Sequence, residues 1–195
     1  MIRVAIVDDH HAVRLGLDTA IRSEPGLVPA GVAATVAELA PVLYRHRPDV
    51  VLLDYNLPDG DGLTVCRDIK AHVPAPGVIL YSAFADASMT VPAIVAGADG
   101  IVNKGMPPRQ LFGAIREVAR GRDALPPISS EQLEAATLTL DEEDLPILGM
   151  LIDRTPPHDI ADTLRLELPV LRRRIGRMLS RLQASVGRSR HPLDA

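Results

Sequence analysis

Five short apolar runs punctuate the first 120 residues, at 2–7, 27–33, 50–53, 78–81 and 100–103, and each closes on a polar cluster. Between them apolar positions recur at three- and four-residue spacing, as at Leu111, Ile115, Val118 and Ala119. That spacing predicts helices over 12–23, 36–46, 63–72, 87–96 and 107–120. Five strand–helix repeats of this kind predict an α/β fold: a doubly wound parallel sheet covered on both faces. Ligands of such folds sit beyond the carboxyl ends of the strands. Residues 121–130, GRDALPPISS, combine Gly, Pro and Ser without periodicity and read as linker. Beyond them the strand signals stop, and helices are predicted over 142–152, 157–164 and 169–184. The last carries Leu171, Ile175, Met178, Leu179 and Leu182 on one stripe, with Arg174, Arg177 and Arg181 on another face. The tail from 185 to 195 is short and polar and reads as loose.

Composition adds boundaries to this picture. The 195 residues allow one to two domains, and 47% hydrophobic with 24% charged residues is a globular balance. A single cysteine, Cys66, excludes a disulfide framework and a cysteine-rich zinc site, and its place on the inner stripe of its helix makes it a packing thiol. Charge arrives at Asp8 and Asp9 directly after MIRVAIV, which leaves no room for a signal peptide. No uncharged stretch reaches the roughly 18 residues that cross a bilayer. The expectation is a soluble cytoplasmic protein without membrane attachment.

The net charge of -4 hides a reversal. Residues 1–122 carry 12 basic and 13 acidic side chains, residues 123–162 carry 1 and 10, and residues 165–190 carry 8 and 1. A nearly neutral first domain is thus followed by an acidic segment and then a basic helix, so a nucleic-acid surface is open only at the C-terminal end.

Polar residues gather at the predicted strand ends. Asp8 and Asp9 follow the first strand, Asp54 the third, Ser82 the fourth and Lys104 the fifth. In a parallel sheet these ends share one rim. Clustered carboxylates repel one another, and a hard divalent cation with oxygen ligands relieves them; Mg²⁺ suits one or two carboxylates plus a phosphate. A carboxylate nucleophile facing a phosphoryl donor needs that same set, a metal and a lysine against the phosphoryl oxygens and a hydroxyl to bind one of them. The constellation reads as an aspartyl-phosphate site. A phosphatase of the haloacid-dehalogenase kind would need a second aspartate two places on, where His10 stands, so turnover of an external substrate is not expected.

The segments VAIVDDHHAVRLGL, VVLLDYNLPDGDGL, ILYSA and GIVNKGMPPRQLFGAIREVARG resemble, in order and spacing, the receiver domain of two-component response regulators of the LuxR/NarL type. The resemblance covers residues 1–122. It implies a flavodoxin-like domain in which Asp54 is the phosphoacceptor, supplied by a sensor histidine kinase or a small phosphodonor. It further implies Mg²⁺ held by Asp8, Asp9 and the main-chain carbonyl of Asn56, with Ser82 and Lys104 on the phosphoryl group. Gly60 and Gly62 shape the loop beside Asp54. His10 and His11 find no third ligand at metal spacing and read as solvated. The sequence departs at Ile101, three before the lysine, where receivers commonly carry an aromatic ring that moves with the hydroxyl residue; a muted or differently routed switch follows.

After a linker at 123–136, residues 137–195 are more distantly similar to the helix-turn-helix domain of the same regulators. LTLDEEDLPIL matches the opening of its first helix, IADTL its scaffold helix and LRRRIGRMLSRL its recognition helix. Arg172, Arg173, Arg174, Arg177 and Arg181 would face DNA, over a small core of Ile160, Ala161, Leu164, Leu171 and Ile175. The implied protein binds promoter DNA as a homodimer on activation. Departures are plain: Asp159 and Asp162 replace basic residues, Pro146 interrupts the first helix, Pro169 replaces a capping hydroxyl, and the chain ends before a full fourth helix. The acidic segment could pair with the arginines instead. A helical output that binds a protein partner, or a regulator working unphosphorylated, are the alternatives.

Overall fold

The computed structural model describes residues 1–83 and 85–190 of the chain. Its β-branched runs form five parallel strands, β1 (Ile2–Val7), β2 (Leu27–Ala33), β3 (Val50–Leu53), β4 (Gly77–Ser82) and β5 (Gly100–Asn103), in the order β2-β1-β3-β4-β5. Helices α1 (His11–Ser23), α2 (Val36–His46), α3 (Gly62–Lys70), α4 (Thr90–Val95) and α5 (Pro108–Ala119) fall within a residue or three of expectation. Val4, Ile6, Val50, Leu52 and Ile79 of the central strands are buried together with Leu17 and Ile21 of α1 and Leu111, Phe112 and Ile115 of α5. At about 25 cal/mol per Å² of apolar surface, such burial is the main stabilising term. Cys66 is fully buried in α3, as the stripe predicts.

The register matters for function. Val4 to Val7 of β1 lie opposite Val50 to Leu53 of β3, and Leu53 lies opposite Leu80 of β4. Asp8 and Asp54 therefore leave neighbouring strands at the same level. Ser82 pairs with Asn103 at the end of β5, one residue before Lys104.

Two compact units divide the chain: residues 1–85 with 98–125, and residues 86–97 with 126–195. The second holds α4 together with α6 (Ser130–Thr139), α7 (Leu145–Ile152), α8 (Pro157–Leu164) and α9 (Leu168–Arg190). Three features differ from the sequence expectations. Helix α6 lies within and beyond the stretch read as linker, and starts on a capping box in which Ser129 and Gln132 satisfy each other's backbone N–H groups. Pro146 does not interrupt a helix: residues Glu142–Asp144 form a 3-10 turn, and Pro146 sits in the first turn of α7, where no N–H is needed. Helix α9 continues to Arg190, through part of the tail read as loose, whereas 191–195 lie outside the described residues. All five stripe residues of α9 are buried, as are Ile147, Leu148 and Ile160, and Leu164 is half-buried.

Candidate functional site

The rim is built by the strand ladder itself. The Asp54 N–H donates to the Val7 carbonyl at 2.8 Å, the Asp8 N–H to the Ala33 carbonyl at 3.1 Å, and the Lys104 N–H to the Ser82 carbonyl at 3.0 Å. Residues from four strands are thus fixed by main-chain bonds before any side chain is considered. Asp8, Asp54 and Ser82 are buried, Asp54 at 4% exposure, and Asp9 is exposed. Lys104 Nζ reaches both carboxylates, at 2.6 Å from Asp8 Oδ2 and 3.0 Å from Asp54 Oδ2. Asn56 stands in a short antiparallel ladder opposite Asp61, two residues beyond Asp54.

The loop after Asp54 is held from several sides. The Gly62 N–H donates to the Tyr55 carbonyl at 2.6 Å, and Asp61 caps α3 by accepting from the Thr64 N–H. Asp59 accepts from the Val36 and Ala37 N–H groups at the start of α2, and the Val36 bond above all keeps its carboxyl below the ordinary range. Gly62 is required by close approach: a Cβ there would lie 2.4 Å from the Asp54 carbonyl oxygen.

The sequence reading missed His10. Its ring is not simply solvated: Nδ1 lies 2.6 Å from Asp9 Oδ1 and 3.4 Å from Asp8 Oδ1. Ligand atoms of Asp8, Asp9, His10 and Asp54 all lie within 4.8 Å of one another. Three carboxylates converging on one point, two of them buried, form a hard-oxygen donor set that fits a divalent cation.

Burial pushes the Asp54 carboxyl above its ordinary range and the Asp8 charge adds to this, while Lys104 and the Tyr55 N–H oppose it without cancelling it. Burial by itself would lower the Lys104 ammonium, but its bonds to Asp8 and Asp54 outweigh that and hold it above the usual value. In metal-free protein the Asp54 carboxyl is therefore expected to titrate above the ~3.9 of a free aspartate. Lys104→Met should move it further up and Asp8→Asn down, as read by carbon-detected NMR; an unshifted Asp54 would contradict the electrostatic picture. A raised folded value means that stability falls as pH rises through the window between the unfolded and folded values, so Asp54→Asn should melt later than the parent at neutral pH.

A second feature lies in the helical unit. Helix α8 is joined to α9 by Arg165–Glu167, with Arg165 in the left-handed region at φ 53°, and α9 presents Arg172, Arg173 and Arg177 at its surface. Arg174 is not among them. It is only 14% exposed, with Nε 2.6 Å from Oδ1 of the buried Asp144 and Nη2 donating to the Glu143 carbonyl at 2.7 Å. Arg181 is exposed but lies 2.6 Å from Asp141, whose carboxyl it holds low. The acidic segment does pair with the basic helix, and Arg174 is a half-buried partner of Asp144 and Glu143.

A five-stranded parallel sheet in the order 2-1-3-4-5, with a lysine bridging two buried aspartates at its carboxyl rim, defines a doubly wound α/β domain with an acidic rim site. The chain belongs to the response regulator receiver domain family, whose model matches residues 4–116. Along 93% of its length it is 31% identical to the DNA-binding transcriptional activator DevR/DosR of Mycobacterium tuberculosis, covering 88% of that protein. Among solved structures, a LuxR-family two-component response regulator from Aurantimonas sp. SI85-9A1 is similar over 70% of this chain and 97% of that one, at 29% identity and a TM-score of 0.61. RcsB of Salmonella enterica serovar Typhimurium, solved on promoter rprA with a beryllofluoride phosphomimetic, covers 93% of this chain and 92% of its own at 22% identity and a TM-score of 0.60, a likeness of fold. These relatives are regulators, not enzymes, and among the described residues no helix is long and apolar enough to cross a membrane.

Proposed function

We propose that this protein is a cytoplasmic response regulator in which Asp54 accepts a phosphoryl group from a sensor histidine kinase, controlling promoter DNA binding by a C-terminal helix-turn-helix that acts as a homodimer. The observation that carries the first half is the buried Asp54 carboxylate within 3.0 Å of the Lys104 ammonium. Asp8, Asp9 and the Asn56 carbonyl would hold Mg²⁺, which supplies charge neutralisation for the phosphoryl oxygens when bound. Lys104 would turn from the carboxylates to a phosphoryl oxygen, and the Ser82 hydroxyl would bind another. Residues 1–122 would form the receiver, 123–136 the linker and 137–195 the output.

The DNA half is supported by the short α8–α9 turn, by the surface arginines, and by relatives named as DNA-binding. Arg172, Arg173 and Arg177 would meet phosphates or bases, with Arg181 available once released from Asp141. Duplex binding in a mobility-shift assay should strengthen with beryllofluoride and Mg²⁺. Arg177→Ala should weaken it for all sequences and flatten the slope of log K against log salt by about 1. The engagement of Arg174 and Arg181 with acids favours a second reading, an output that binds protein. Its mark would be no duplex retention with the mimic bound, although Asp54 takes up phosphoryl groups.

A further inference from the structure

Two residues turn the short ladder that follows Asp54. Asn56 lies opposite Asp61 and Leu57 opposite Gly60, so Pro58 and Asp59 form the tip. Leu57 is buried and proline fixes its own φ, which leaves Asp59 as the polar residue of the turn. Its carboxylate reaches out of the hairpin altogether. Oδ1 accepts from the Val36 N–H at 2.8 Å and Oδ2 from the Ala37 N–H at 3.1 Å, 23 and 22 residues back in the chain. Gly60 seats beside the same helix: a Cβ there would lie 2.9 Å from Val36 Cγ2.

Val36 and Ala37 carry the first two N–H groups of α2, which no carbonyl within the helix can satisfy. The helix has a local cap as well. Thr35 accepts from the Glu38 N–H at 3.2 Å, and the Glu38 carboxylate accepts from the Ala34 N–H at 2.7 Å. That cap takes the third N–H and leaves the first two to Asp59, whose negative charge suits the positive end of the helix dipole. Helix α2 is fixed in its turn, packed on β2 with Leu39 buried. The hairpin tip is thus tied to the body of the sheet three residues beyond Asn56. On the other side of Asn56 the Gly62 N–H holds the Tyr55 carbonyl at 2.6 Å. A backbone carbonyl is aimed only by fixing the chain on both sides of it, and Asn56 lies between these two ties.

We infer that Asp59 is a positioning residue for the cation site: by clamping the hairpin tip onto the first turn of α2, it holds the Asn56 carbonyl where a divalent cation takes it as a ligand. The inference rests on the reading of Asn56 as a Mg²⁺ ligand proposed above. A carboxylate suits the role because it offers an oxygen to each of two adjacent N–H groups. Asparagine offers one, and alanine none.

Amide shifts of the full chain titrated with Mg²⁺ measure the affinity before any phosphoryl donor is added. Asp59→Ala should weaken Mg²⁺ binding by about tenfold, the lower end of what the loss of a residue orienting a metal ligand costs. Asp59→Asn should fall between it and the parent, and it carries the comparison if the alanine variant does not fold. Thr35→Ala removes the local cap of α2 and leaves the hairpin tie, so it should lower the melting temperature but change Mg²⁺ affinity by less than about twofold. Phosphoryl uptake from acetyl phosphate gives a second readout: the Asp59 variants should be slow at low Mg²⁺ and regain the parent rate once Mg²⁺ saturates them. Asp59 variants that bind Mg²⁺ like the parent overturn the positioning role. It is equally overturned if Thr35→Ala weakens Mg²⁺ as much as they do, or if saturating Mg²⁺ leaves their uptake slow. A parent that binds no Mg²⁺ defeats instead the reading of the cation site, and the inference with it.

Discussion

Arg174→Ala is expected to destabilise the helical unit by about 3–5 kcal/mol, the cost of leaving a buried charge without its partner. The argument is geometric. Asp144 is 3% exposed, and its Oδ1 lies 2.6 Å from Arg174 Nε, while the same guanidinium satisfies the Glu143 carbonyl. Removing the arginine strands the Asp144 carboxylate in the interior, whereas the Glu143 carbonyl, at an exposed residue, can turn to water. The double variant Arg174→Met with Asp144→Leu removes both charges and should recover most of the loss, because burying apolar groups in place of a buried pair is often neutral. Arg177→Ala, at an exposed position, should stay within about 0.5 kcal/mol of the parent. Chemical denaturation followed by circular dichroism separates these outcomes. If Arg174→Ala unfolds like the parent, the pair is not part of the core. DNA-binding losses in Arg174 variants would therefore report folding, whereas those at the exposed Arg172, Arg173 and Arg177 would report contact.

The second large effect falls on the loop beside Asp54. Gly62→Ala places a methyl group 2.4 Å from the Asp54 carbonyl oxygen and 2.8 Å from Tyr55 Cα. Both are backbone atoms, so no side-chain rotation relieves the clash. The overpacking cost should be about 3 kcal/mol, the upper end of the usual range. The strain would open the Gly62 to Tyr55 hydrogen bond and displace Asp54 from Lys104, so uptake of phosphoryl groups should slow markedly even where the variant remains folded. A melt and an uptake rate equal to the parent's would show that the loop is not tightly seated.

Much of this was legible in the chain. Apolar runs closing on Asp8, Asp54, Ser82 and Lys104 foretell a parallel sheet with one acidic rim, because side chains far apart in sequence must converge wherever parallel strands end together. The stripe of Leu171, Ile175, Met178, Leu179 and Leu182 foretells the buried face of α9 for the same reason: burial follows period. What escaped depends on tertiary pairing. Arg174 lies on a polar stripe with Arg177 and Arg181, and nothing in its spacing says that it meets Asp144, thirty residues away. The helical character of residues 87–96 is readable, but not which core receives it, although a helix without a polar face was a signal that both of its sides are covered. Ser129-x-x-Gln132 was a readable capping box, hidden by the Gly- and Pro-rich stretch before it. The place of the His10 ring beside Asp9 is set by the turn after β1 and does not follow from spacing.

Most of the proposal hangs on Asp54 as the phosphoacceptor, and one measurement addresses it directly. Full-length protein is incubated with acetyl phosphate and Mg²⁺ and weighed intact, beside Asp54→Asn. The arrangement of Asp8, Asp54 and Lys104 predicts one added phosphoryl group on the parent and none on the variant. A parent that gains nothing, or an Asp54→Asn protein that gains the group as readily, would contradict the assignment.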